Sequence, residues 1–182
     1  MKPKKLAVVG VVLIILVAGI VAGTAFLIFP EYELSITTRD TDLLQLGVKV
    51  PDTWEFEMSD GTTLALSEFE GNVVLVDLMA IWCSSCEIQN GYLETVYESL
   101  AESVIIVSLT VDPSETVSMM ANYKDNKTLP WAHGVDDRKF LYYFSISLIP
   151  SMVLIDANGY FRYFHVGLWS VESITDTVGL IL

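Results

Sequence analysis

The sequence predicts an α/β fold built around a mixed β-sheet. Two runs of mostly β-branched residues, Val73–Val76 and Val104–Val107, are typical of strands that are covered on both faces. Each run precedes a stretch with helical spacing, and the chain closes with a hairpin pattern followed by a helix. Strands that alternate with helices in this way indicate a layered α/β domain.

A β-hairpin is predicted before the first buried strand. Apolar and acidic residues alternate from Trp54 to Met58, as in a half-buried strand. Asp60-Gly61 is a strong signal for a two-residue hairpin turn, and Thr62–Leu66 follows as the return strand. Ser67–Gly71 is expected to form a short turn. The hairpin is therefore an N-terminal extension of the sheet.

The helices are predicted from apolar spacing and from their start signals. A first helix follows Cys86 and ends near Ala101, and a second starts at Asp112, with Pro113 in its first turn, and ends near Tyr123. The elements expected after it are a loop at 125–134, a short helix at 138–144, strands at 151–156 and 160–166 joined by Ala157-Asn158-Gly159, and a closing helix at 170–182.

The charge of the chain restricts its partners. The sequence has 23 acidic and 10 basic residues, a formal net charge of −13. Three of the lysines (Lys2, Lys4, Lys5) precede an apolar segment, so the remainder carries 7 basic and 23 acidic residues, a net charge of −16. Such a surface repels nucleic acid, which excludes nucleic-acid binding. Solubility or a salty medium explains the excess more simply than a face for a basic partner.

A membrane anchor is predicted at residues 6–29. These 24 residues carry no charge, and as a helix they span about 36 Å, enough to cross the hydrocarbon core. The flanking lysines place the tail at 1–5 in the cytoplasm, the linker at 30–46 outside, and the domain at 47–182 outside with it. A cleaved signal peptide is the alternative, with a cleavage site at Gly23-Thr24-Ala25, although its apolar region is usually shorter.

The two cysteines, Cys83 and Cys86, form a C-x-x-C motif between a buried strand and a helix. Unpaired N–H groups at a helix N-terminus favour a thiolate on the first cysteine, so Cys83 is predicted to be the nucleophile. Cys86 lies one turn further on and is predicted to resolve a mixed disulfide. An inert disulfide or half of a metal site are alternatives, but no second C-x-x-C or histidine pair completes a zinc site.

Residues 74–86 resemble the active-site segment of thioredoxins, and the wider pattern resembles the TlpA/ResA-type branch of that fold. The matching positions outside this segment are Val50-Pro51-Asp52, Asp60-Gly61, Leu66-Ser67, Gly71, Ile149-Pro150, Leu154-Ile155-Asp156, Gly159 and Gly167. The resemblance implies a thioredoxin-like three-layer fold. It also implies a membrane-tethered, extracytoplasmic thiol–disulfide oxidoreductase that needs no cofactor and no metal.

Four further site residues follow from the resemblance. Asp77 matches the buried carboxylate that accepts a proton from the resolving thiol, although a carboxylate bonded to backbone is an alternative. Pro150 matches a cis-proline that aims the backbone of Ile149 at an extended substrate, the alternative being a trans turn. Trp82 matches an aromatic residue of the docking face, the alternative being core packing.

Three functional hypotheses remain open. The first is a reductant of protein disulfides that receives electrons from a thiol carrier in the membrane. The second is an oxidase, because Ser84-Ser85 replaces the usual Gly-Pro or Pro-Pro and leaves the direction of electron flow undecided. The third is a Sco-like copper-binding module with His133 as a ligand, although His133 is expected in a solvated loop and His165 in strand packing.

Overall fold

A computed structural model describes residues 44–45, 47–100 and 102–182, which form an eight-stranded sheet with helices on its faces. The strands are β1 (Leu44–Gln45), β2 (Glu55–Met58), β3 (Thr63–Ala65), β4 (Val73–Met79), β5 (Val104–Thr110), β6 (Ala132–Val135), β7 (Ser151–Ile155) and β8 (Phe161–Val166). The helices are α1 (Ser84–Leu100), α2 (Val117–Lys127), α3 (Lys139–Tyr143) and α4 (Val171–Val178), with a 3-10 turn at Leu66–Phe69.

The sheet is mixed, as predicted, and runs in the order β1-β8-β7-β4-β5-β6-β2-β3. Strands β4, β5 and β6 are parallel, whereas β7 is antiparallel to β4 and to β8. The predicted hairpin, β2 and β3, extends the sheet beyond β6. Strand β4 is therefore central, and every one of its residues is buried.

Alternate residues of β4 face two separate cores. Leu75 and Met79 lie in the core that contains α1, α2 and α4, whereas Val76 and Leu78 lie in the core that contains α3. This two-sided burial explains the run of branched apolar residues in the sequence. The result is the three-layer arrangement that the sequence predicts.

The second helix was predicted to begin too early. Helix α2 begins at Val117, and the side chain of Thr116 caps it by accepting a hydrogen bond from the Met119 N–H. Residues 112–115 instead form a turn, in which the Asp112 side chain accepts hydrogen bonds from the backbone and hydroxyl of Ser114. An Asp or a Thr can each cap a helix, so the sequence alone does not separate the two starts.

The loop predicted at 125–134 is also wrong, because it contains the end of α2 and the first three residues of β6. Strand β6 joins β5 in parallel and β2 in antiparallel. Gly134 permits this pairing, since a Cβ atom there would lie 2.6 Å from the Glu57 carbonyl oxygen. A four-residue strand containing a histidine and a glycine shows no clear alternation, which is why the pattern gives no signal for it.

The predicted tail at 1–5 and anchor at 6–29 lie outside the described residues, as does nearly all of the linker at 30–46. The described part of the linker, Leu44–Gln45, pairs with β8 and so belongs to the sheet. Within the described ranges, no helix is long and apolar enough to cross a membrane.

Candidate active site

The two cysteines lie where the chain leaves β4 and enters α1, and their sulfur atoms form a disulfide. The Cys83 carbonyl accepts the first hydrogen bond of the helix from the Glu87 N–H, so Cys83 occupies the N-terminal cap position. The Cys86 N–H donates to Cys83 Sγ at 3.1 Å. Cys83 is 6% exposed and Cys86 is fully buried, so a partner reaches the Cys83 sulfur first. A helix N-terminus around this sulfur favours negative charge on it.

Two carboxylates hold the loop before Cys83. Glu115 is buried and accepts hydrogen bonds from the Ile81 N–H with both of its oxygens, at 2.9 and 3.1 Å. Asp112 accepts a bond of 2.7 Å from the Trp82 indole N–H. Hydrogen bonds from Ser114 and then from Trp82 lower the pKa of Asp112. Because Trp82 is 70% exposed, the core-packing alternative for this residue is wrong.

The Ile149–Pro150 peptide bond is cis, as the resemblance implies. The Ser85 hydroxyl connects this loop to the cysteines, since it lies 3.3 Å from Cys83 Sγ and 3.4 Å from the Ile149 carbonyl oxygen. Pro150 is buried and its carbonyl accepts from the Gly167 N–H at 2.8 Å. The structure therefore brings Cys83, Ser85 and Ile149 together where α1 begins and the loop before β7 approaches it.

Asp77 is fully buried on β4, on the same side of the sheet as Leu75, Met79 and the two cysteines. Its Oδ2 accepts a 2.8 Å hydrogen bond from the Ser108 hydroxyl, whereas Oδ1 has no partner in the described structure. Burial raises the pKa of Asp77 from 3.8 to about 7, and the bond from Ser108 opposes this rise. The alternative in which the backbone holds this carboxylate is therefore not what the structure shows.

Asp77 belongs to a row of paired residues that crosses five strands on the cysteine side of the sheet. The pairs run His165–Met152, Met152–Asp77, Asp77–Ser108 and Ser108–His133. We call these five residues the cross-strand row. Three of its members carry a buried polar atom without a partner in the described structure. Among the described residues, most of the buried side-chain polar atoms that lack a hydrogen-bond partner therefore lie in this row.

The expectation that His133 lies in a solvated loop is wrong. His133 is 1% exposed on β6, stacks on Trp131, and bonds the Trp131 carbonyl through Nδ1 at 3.0 Å. Burial lowers the pKa of His133 to about 4, so the ring is neutral at physiological pH. His165 is buried against Trp169, as predicted. Within the described ranges, no group of three or more His, Cys, Asp or Glu side chains could hold a metal ion.

Sequence reasoning missed Ser108, Glu115 and Gln89. Gln89 is a buried residue of α1 that forms two hydrogen bonds with the backbone of Trp169, one to its carbonyl and one from its N–H. A polar residue inside an apolar strand or on the apolar face of a helix is the only local signal for such roles. Ser108 and Gln89 both show this signal, whereas Glu115 is in a turn and shows none.

The profile of the Redoxin family matches residues 45–178, which is most of the chain. The chain belongs to the Redoxin family. It is a thioredoxin-like oxidoreductase of the TlpA/ResA type, as the sequence predicts, and its C-x-x-C pair is that of a thiol–disulfide oxidoreductase.

Individual relatives agree with this assignment. The chain is 29% identical over 153 residues to the thiol-disulfide oxidoreductase ResA of Oceanobacillus iheyensis, covering 81% of this chain and 74% of that protein. It is 26% identical over 180 residues to the thiol:disulfide interchange protein DsbE of Vibrio cholerae, covering 90% and 86%.

Solved structures agree on the fold. The thioredoxin domain of a thiol-disulfide oxidoreductase from Bacteroides vulgatus superposes with a TM-score of 0.62 at 20% identity, covering 76% of this chain and 99% of that domain. An exposed lipoprotein thioredoxin from Streptococcus pneumoniae superposes with a TM-score of 0.57 at 24% identity, covering 70% and 98%.

Proposed function

We propose that this protein is an extracytoplasmic, membrane-anchored enzyme that reduces disulfides in other proteins through Cys83 and Cys86. The observation that carries the proposal is the pairing of a slightly exposed cysteine at a helix N-terminus with a fully buried second cysteine. The uncharged segment at 6–29 and the lysines before it support the anchor and its orientation. No thiol is freely supplied outside the cell, so a thiol carrier in the membrane delivers the electrons.

In the proposed reaction, the Cys83 thiolate attacks one sulfur of the partner's disulfide and releases the other as a thiolate. The Cys86 thiol then gives its proton to Asp77, and the Cys86 sulfur attacks Cys83. The partner's second thiolate leaves as the Cys83–Cys86 disulfide forms. Two electrons pass from the dithiol to the partner, and the membrane thiol carrier restores the dithiol.

The surroundings of Cys83 support docking of an extended chain. Trp82 is exposed beside it, and the backbone of Ile149 lies across from it through Ser85. A partner segment that pairs with this backbone places its disulfide next to Cys83. Trp82, Ile149 and Pro150 are the proposed substrate-binding residues.

The test uses the full chain in detergent micelles and follows the reduction of insulin by dithiothreitol. Cys83→Ser is expected to abolish the acceleration of insulin reduction. In a separate reaction without dithiothreitol, Cys86→Ser is expected to retain partner protein as a mixed disulfide. Ser99→Ala, on the exposed side of α1, is the matched control. Full activity of Cys83→Ser would contradict the proposal.

Oxidation of partner thiols is the second candidate, and one contact favours it. The Ser85 hydroxyl lies 3.3 Å from Cys83 Sγ, where it would stabilise a thiolate and hence the reduced enzyme. A stabilised reduced form makes a stronger oxidant. The reduction potential separates the two candidates, since a reductant has a potential of about −270 mV and an oxidant one of about −120 mV.

A further inference from the structure

The hydrogen bonds around Asp77 have a fixed direction. The Trp131 indole N–H lies 2.9 Å from the Ser108 oxygen, and an indole nitrogen can only donate. The Ser108 oxygen therefore accepts from Trp131, and its own hydrogen is left for Asp77 Oδ2 at 2.8 Å. All three side chains are buried, so water does not compete for these bonds.

This direction separates the two oxygens of Asp77. Oδ2 receives the Ser108 hydrogen, and the described part of the chain offers that hydroxyl no other acceptor. When Asp77 binds a proton, the proton therefore goes to Oδ1, the oxygen without a described partner. Strand alternation places this carboxyl on the side of the sheet that carries Cys83 and Cys86.

The other groups that face Asp77 do not supply a positive charge. Helix α1 contributes Cys83 and Cys86, α2 contributes Tyr123, and β7 contributes Met152, which does not ionise. The two histidines of the cross-strand row lie two strands away on either side, and His133 is held neutral by burial. Ser108 is thus the one described group that stabilises the charged form of Asp77.

We infer that Ser108, held by Trp131, is a positioning residue that keeps Asp77 Oδ1 as the oxygen that takes the proton from Cys86. The inference rests on the proposed role of Asp77 in resolving the mixed disulfide. In that step the Cys86 S–H bond breaks, its proton moves to Oδ1, and the Cys86 sulfur attacks the Cys83 sulfur. The bond between Cys83 and the partner breaks, and the partner leaves as a thiolate. The described hydrogen bonds of Ser108 go to Asp77 and Trp131 and to neither cysteine, so Ser108 acts through the carboxylate.

The experiment measures how fast a mixed disulfide between the full chain and a peptide thiol resolves, as a function of pH. The rate is expected to rise with pH as Asp77 ionises. Ser108→Ala removes a hydrogen bond to a charged group and should shift this profile upward by about one pH unit, with up to about tenfold slower resolution near pH 7. Ser108→Thr keeps the hydroxyl and should restore the original profile.

Two further variants keep the inference testable even if Ser108→Ala does not fold. Trp131→Phe frees the Ser108 hydroxyl to rotate and should shift the profile in the same direction by a smaller amount. Ser99→Ala removes a hydroxyl from the exposed side of α1 and should leave the profile in place. An unshifted profile in folded Ser108→Ala, or in Trp131→Phe if Ser108→Ala is unfolded, overturns the inference.

The Asp77→Asn variant separates the role of Asp77 from that of Ser108. If Asp77→Asn leaves the profile unchanged, the proposed role of Asp77 fails, and the inference fails with it. If Asp77→Asn removes the pH dependence of the resolution rate while Ser108→Ala does not shift it, only the role of Ser108 is overturned. If both act, the double variant should match Asp77→Asn alone, because Ser108 then has no carboxylate to position.

Discussion

Replacing Asp77 by Asn should remove a loss of stability that the wild type shows as the pH rises. The folded state raises the pKa of Asp77 from 3.8 to about 7, because the carboxyl is fully buried. Below pH 3.8 both the folded and the unfolded states hold the proton, so folding carries no penalty from this group. As the pH rises toward 7, the unfolded state loses the proton first, and stability falls until the folded state also ionises.

The size of this effect follows from the same two values. Above pH 7 the penalty reaches the difference between about 7 and 3.8, which at 1.36 kcal/mol per pH unit is about 4 kcal/mol. Somewhat over 1 kcal/mol of it is already present at pH 5, so about 3 kcal/mol is lost between pH 5 and pH 8. Asn does not titrate, and the variant should not show this loss.

Urea denaturation of the disulfide form at pH 5 and pH 8 measures the effect. The free energy of unfolding of the wild type should fall by about 3 kcal/mol more than that of Asp77→Asn over this interval. Asp176→Asn, at an exposed position of α4, controls for the loss of one surface charge. An equal pH dependence in the wild type and Asp77→Asn would refute the reasoning, whatever their absolute stabilities.

Three further substitutions test packing and capping by urea denaturation. Gly134→Ala places a Cβ atom 2.6 Å from the Glu57 carbonyl oxygen and should destabilise the protein by about 2 kcal/mol; an unchanged midpoint would contradict this contact. Gln89→Ala leaves the N–H and carbonyl of Trp169 without their partner and should lower the free energy of unfolding by about 3 kcal/mol. A negligible loss would contradict this expectation and would indicate that water replaces both bonds. Thr116→Ala removes the cap of α2 and should cost about 1 kcal/mol, whereas Thr116→Ser should restore most of it.

The sequence predicts the layered fold and the cysteine site because both depend on local patterns. Branched apolar runs identify β4 and β5, and a C-x-x-C motif between a strand and a helix identifies the redox pair. The cis bond at Pro150 follows only from family resemblance, because most X-Pro bonds are trans.

The missed features depend on contacts between residues far apart in the chain. Strand β6 is defined by its neighbours on both sides rather than by its own four residues. Glu115 binds the backbone 34 positions earlier, and Ser108 binds Asp77 across a strand pair. The burial of His133 likewise comes from the sheet and from the helices packed over it, which a local reading of the sequence does not supply.

The central position of β4 has a consequence for the motion of the active site. The strand is hydrogen-bonded to β5 on one side and to β7 on the other, and its last residue lies only four positions before Cys83. Backbone amides in such a strand exchange with deuterium only when the whole domain opens. The covalent intermediate is therefore attached next to the slowest-opening part of the molecule. We therefore expect much of the reorientation that aligns the three sulfur atoms to come from the partner chain, which favours partners whose disulfides lie in flexible segments.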